Sequence, residues 1–183
     1  MNVTEHDTRK GFHWIYVLAG LYVLSAYIAP VMSYFMIKYA EDTLFPWVSL
    51  TIPISMGIVN SIVIPTNRYE IGRIRLINCA LFIKLALVPL YIVGGLLNML
   101  FFLLMFTPVV IMIFVSPMAI TMLSVLGWLY MAGVSPYSLT YLSESCKLRV
   151  HNKTLCVIVS ILQFFFVADV ISVIIMAIKE KQR

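Results

Sequence analysis

The chain has 183 residues, of which 62% are hydrophobic and 11% charged, and its mean hydropathy is +0.98. A soluble domain carries roughly a quarter of its residues as charges, so these proportions exclude a soluble globule and point to an integral membrane protein. The net charge of +5 is spread over loops and tails, where it suits anionic lipid headgroups and gives no reason to expect a nucleic-acid partner.

The few charges mark out the spans. Residues 14–37, between His13 and Lys38, carry none, and neither do residues 43–67, between Asp42 and Arg68. Residues 76–143 hold a single charge, Lys84, and residues 154–178 hold only Asp169. About 20 helical residues cross the hydrocarbon core, and a lone strand cannot satisfy its backbone in lipid. The first, second and last stretches are therefore one helix each. The first is too long for a signal-peptide core and is read as a retained span.

The middle stretch admits two readings. Turns near Gly94-Gly95 and Ser116-Pro117 divide it into three helices. A single break near Thr107-Pro108 leaves two over-long, tilted ones. The expectation taken here is one all-α transmembrane domain over residues 1–183, a bundle of six spans at about 14–37, 44–65, 76–96, 98–116, 118–142 and 154–178, with five spans as the alternative. Arg9 and Lys10 precede the first span, and Arg68, Arg73 and Arg75 lie between the second and third. The positive-inside rule puts the N-terminus and the 66–75 loop in the cytoplasm. Basic residues flank the last span on both sides, so charge does not orient it.

Within the second span Pro53, Gly57, Asn60 and Ser61 share one small and polar helical face, and Tyr22, Ala26, Pro30 and Ser33 form a similar line in the first. In lipid such a face is the one that packs. It can also line a path, and the candidate path residues are Asn60, Ser61, Asn78, Gln163 and Ser172.

Lys84 and Asp169 are the two charges deep within spans. On insertion scales each costs about 2.5–3.5 kcal/mol at the bilayer centre, which pairing offsets. Lys84 is about 14 Å from the cytoplasmic edge at the helical rise. Asp169 lies about 15 Å from that edge if the last helix runs inward and about 24 Å if it runs outward. Pairing therefore favours six spans. The pair reads either as a strut that fixes helix register or as a proton switch, because burial favours the neutral acid and a nearby ammonium favours the carboxylate.

Catalytic, metal and cofactor sites are not expected. His6, His13 and His151 lie outside or at the edges of the spans and lack ligand spacing. Cys79, Cys146 and Cys156 form no metal motif and no even disulfide set. An intramembrane aspartyl protease needs two adjacent carboxyls, and the spans hold one. There is no nucleophile elbow and no glycine-rich phosphate loop.

"SPYSLTYLSES" (135–145) followed by "ILQFFFVADVISVIIMAIKEK" (161–181) resembles the C-terminal end of uncharacterised small multi-span membrane proteins of Gram-positive bacteria, and "FIKLALVPLYI" (82–92) resembles their Lys-containing third segment. The resemblance implies a shared scaffold in a bacterial cytoplasmic membrane and implies no activity. Gln163, Asp169 and Lys84 fall where it is strongest. The expected function is that of a non-enzymatic accessory or partner-binding membrane protein, partnered by the bilayer and by a second copy or another membrane protein. The alternative is a small proton- or cation-coupled transporter or channel using Asp169 and Lys84.

Overall fold

A computed structural model describes residues 14–39, 45–147 and 166–181, and these residues are helical apart from short turns. The elements are α1 (Trp14–Tyr39), α2 (Phe45–Thr66), α3 (Arg68–Ile71), α4 (Arg73–Leu104), α5 (Val110–Lys147) and α6 (Phe166–Lys181). Four of them, α1, α2, α4 and α5, are long and apolar enough to cross a membrane.

The middle stretch is two helices, not three. The chain does not turn at Gly94-Gly95 or at Ser116-Pro117, and it breaks between Leu104 and Val110. The expected division at 76–96, 98–116 and 118–142 is thereby corrected, and the six-span count loses its support. The physical reason is backbone satisfaction. In an apolar medium every peptide group left outside a helix costs several kcal/mol, whereas a glycine costs only about 1 kcal/mol and a proline one hydrogen bond. The helix runs unbroken through Pro117 to Lys147.

Adjacent helices pack as a ring in the order α1, α2, α5, α4, with α6 laid against α4. Between the second and fourth helices the chain needs a corner, and Gly72 makes it with φ +76°, a conformation that only glycine adopts without strain. At this end of the bundle Glu144 forms an ion pair with Arg68 at 3.6 Å and accepts from Lys147 at 3.5 Å. We call it the basic end, since Arg73 and Arg75 open α4 there.

The ring closes tightly because small residues sit where helices cross. A Cβ on Gly57 would lie 3.0 Å from the Cα of Gly133, so α2 and α5 meet backbone to backbone, as small residues allow in membranes. Tyr22 reaches across the ring from α1, and its hydroxyl donates to Tyr130 O at 2.6 Å. Further along, Tyr27 donates to Ala86 O at 2.6 Å, tying α1 to α4. Ser33 donates to Ala29 O at 2.9 Å, and its hydroxyl and that of Ser49 are hydrogen-bonded at 2.6 Å, tying α1 to α2. The core is built of Tyr22, Ala26, Ile64, Leu76, Ile83, Leu87, Val134, Tyr137 and Tyr141, all at most 1% exposed.

Candidate functional site

The polar side chains of the bundle gather on one segment of α5, "YMAGVSPYSLTYL" (130–142). Tyr130, Gly133, Tyr137 and Tyr141 recur at helical spacing, so they share the face turned toward the other helices. Asn60 enters from α2 and is fully buried. Its amide donates to Gly133 O at 3.4 Å and its carbonyl accepts from Tyr137 Oη at 3.3 Å. Both ends of the asparagine are thus spent on α5. Pro136 cannot donate to the carbonyl four residues earlier, which locally loosens the backbone of this segment.

Lys84 completes the cluster from α4. It is 4% exposed. Its Nζ donates to Ser138 Oγ at 3.3 Å, and Ser138 in turn donates to Ser135 O at 3.2 Å. On its other side Lys84 lines a groove of about 210 Å³ between α4 and α6, together with Asn78, Leu85, Val170, Val173 and Ala177. The groove is apolar apart from Asn78 and the lysine. It lies five to twelve residues into α4, or about 8–18 Å along the helix at 1.5 Å per residue.

The expected site residues fall into three groups. Asn60 and Lys84 both meet α5, at Gly133 with Tyr137 and at Ser138 respectively. Asn78 lines the α4–α6 groove, and Ser172 is buried on α6. Ser61 points away from the bundle and returns its hydroxyl to Gly57 O of its own helix at 2.9 Å, so it does not continue from Asn60. Gln163 lies outside the described residues. Asp169 occupies a position on α6 whose side chain lies outside the described part as well. By helical register that position is one turn before Val173, which lines the groove with Lys84.

Tyr130, Gly133, Tyr137 and Ser138 were not among the residues expected from the sequence. The signal was available: tyrosines and a glycine at spacings of three, four and seven form a small, polar stripe, which in lipid is the packed face. Among the described residues no group of three histidine, cysteine or acidic side chains is placed to hold a metal.

Over residues 15–182 the sequence matches the family model of a family of unknown function, DUF6652. The chain belongs to DUF6652. The match runs from the first residues of α1 to the end of α6 and is consistent with an uncharacterised family. No curated protein and no solved structure matches this DUF6652 member. The family brings no activity with it, and what the DUF6652 bundle does has to be argued from its own polar core.

Proposed function

We propose that this DUF6652 member is a non-enzymatic accessory or partner-binding protein of a bacterial cytoplasmic membrane. Its basic end faces the cytoplasm, and Lys84 and Asp169 act as an internal strut between α4 and α6. The observation that carries the reading is the setting of Lys84: 4% exposed, hydrogen-bonded to Ser138, and facing α6 across an apolar groove. A carboxylate beside a buried ammonium offsets part of the desolvation cost of both groups. Asp169, one turn from Val173, is at the right level to serve Lys84.

The state of the other polar groups supports a strut over a path. Asn60 and Tyr137 are consumed in joining α2 to α5, and Ser61 faces outward. A conduction path needs polar groups that remain available to solvent or ion. Asn60 and Tyr137, the polar groups that meet at the centre of the bundle, serve packing.

The test compares Asp169→Asn, Lys84→Met and the double variant, each purified in detergent for unfolding and reconstituted for proton flux with a pH-sensitive dye. The strut predicts a loss of about 3–5 kcal/mol for either single change, as for other broken buried pairs, with most of it recovered in the double variant. It also predicts unchanged flux. Normal stability of Asp169→Asn with loss of a measurable proton flux would establish the transport alternative instead. Additive losses in the double variant would remove the pair altogether.

A further inference from the structure

The bundle changes character partway along its length. Toward the basic end the four long helices close into the ring. There the α1–α2 hairpin is joined to the α4–α5 hairpin by the Tyr22–Tyr130, Asn60–Tyr137 and Tyr27–Ala86 bonds. Away from the basic end burial stops. Among the described side chains, α4 buries none beyond Leu87, and before Tyr130 α5 buries only Ser116. In the far halves of α1 and α2 the buried residues are Ala29, Ser33 and Ser49, and these meet one another: the two serines are hydrogen-bonded at 2.6 Å, and Ser49 donates to Ala29 O at 3.3 Å.

The faces that continue the ring contacts outward are bare. Val31, Tyr34 and Phe35 extend the line of Tyr27 along α1 and are 50–60% exposed. Val93 and Leu97, which extend the line of Ala86 along α4, are exposed as well. Each far half thus packs within its own hairpin, by Ser33 with Ser49 in one and by Asn98 donating to Ser124 Oγ at 3.3 Å in the other.

Prolines mark the level at which the hairpins part. Helices α1 and α4 both run away from the basic end. Pro30 stands three residues past Tyr27 and Pro89 three past Ala86, so the Tyr27–Ala86 bond sets the two prolines at one level. Pro89 also lies five residues past Lys84, and Gly133 five before Ser138, in antiparallel helices that the Lys84–Ser138 bond aligns. Pro89 is therefore level with the Gly57–Gly133 crossing. Pro53 and Pro136 flank that crossing on α2 and α5, about 6 Å and 4.5 Å away along the axis. Pro46, Pro65 and Pro117 lie elsewhere in these helices.

A proline within a continuous helix withdraws the N–H that the carbonyl four residues earlier would accept, and its ring pushes that carbonyl aside. The ladder is interrupted in this way at Ala26, Ser49, Leu85 and Ala132, once in each long helix. Helices bend at such positions. The far halves offer little resistance, because lipid accepts their bare apolar faces and the hairpins gain no hydrophobic free energy by closing on each other.

We propose that this proline level is a joint, about which the far halves of the two hairpins swing as separate arms on a fixed base. The base contains Lys84 and the Gly57–Gly133 crossing, so the joint stands apart from the strut between α4 and α6.

The test is the spread of distances on either side of the joint. Cys79, Cys146 and Cys156 are replaced by alanine in the full chain. Nitroxides are then attached either to the far pair Phe35→Cys with Leu100→Cys or to the base pair Val17→Cys with Phe82→Cys, all four being exposed positions on α1 and α4. Pulsed electron paramagnetic resonance in phosphatidylcholine vesicles should give a far-pair distribution about twice as wide as that of the base pair. Adding Pro30→Ala and Pro89→Ala, which restores both hydrogen bonds, should narrow the far pair to the width of the base pair and leave the base pair unchanged. Equal widths before the proline changes would overturn the proposal. So would a far-pair spread that the proline changes leave as it was, since the motion would then have another source. Proline changes that widen the base pair would overturn it too, because the prolines would then hold the packing instead of forming a joint.

Discussion

Gly133 stands where three helices meet, and its missing side chain is what lets them. A Cβ there would collide with the Tyr22 hydroxyl and come within 3.0 Å of the Gly57 Cα. Overpacking of this kind costs roughly 1–3 kcal/mol. We expect Gly133→Ala to lower the unfolding midpoint of the detergent-solubilised protein, and Tyr22→Phe to recover part of that loss by removing the atom it meets. Tyr22→Phe alone should cost about 0.5–1.5 kcal/mol, the net value of one hydrogen bond. Asn60 is governed by a different balance, because it satisfies Tyr137 as well as itself. Asn60→Leu leaves a buried phenol and a carbonyl short of a partner, at a cost of about 1–3 kcal/mol. Adding Tyr137→Phe should return some of that stability, and the non-additivity measured in a double-mutant cycle reports the contact.

Among the elements, the long helices α4 and α5 are the ones whose extent local signals misjudge. Gly94-Gly95 and Ser116-Pro117 are good turn signals in water, and the expectation of three spans rested on them. Within an apolar surrounding their helix-breaking tendency is smaller than the cost of exposing backbone groups, so both helices run through. Space around Gly94 and Gly95 is open, and a Cβ added at either position would meet nothing within 4 Å. Gly94→Ala with Gly95→Ala should therefore be neutral or stabilising, by up to about 1 kcal/mol per site. A loss of stability or of insertion in that variant would argue for a turn there. The break at Thr107-Pro108, the alternative reading, is where the chain does turn. Proline's absent N–H and the capping threonine hydroxyl make that position cheap to break.

Across the whole molecule, helix count and charge level turn out to be separate matters. Pairing of Lys84 with Asp169 was tied in the sequence to an inward-running last span and hence to six crossings. The bundle brings residues 170–178 of α6 alongside residues 78–85 of α4 although the middle stretch forms only two helices. Levels inferred by counting from the nearest charged loop assume a straight path, and the chain from 148 to 165 that would set this path lies outside the described residues. The ionic contacts at the basic end are of lesser weight. Arg68 and Glu144 are partly exposed, so Glu144→Gln should change stability by no more than about 1 kcal/mol.

Composition and charge spacing by themselves determined that the chain is helical with stretches long and apolar enough to cross a membrane, where its apolar stretches begin and end, and that Lys84 is the one charge within the long middle stretch. Those properties follow from transfer free energy, which depends on each residue's chemistry and hardly on its neighbours. Only the tertiary structure decided that two helices fill residues 73–147, that Asn60 turns inward while Ser61 turns out, and that α5 from Tyr130 to Leu142 is the column on which the polar core is assembled. Lipid accepts leucine and isoleucine on any face, so hydrophobicity gives no inner side to a span. That side is chosen by close contacts such as Gly57 against Gly133 and by hydrogen bonds between residues more than seventy positions apart.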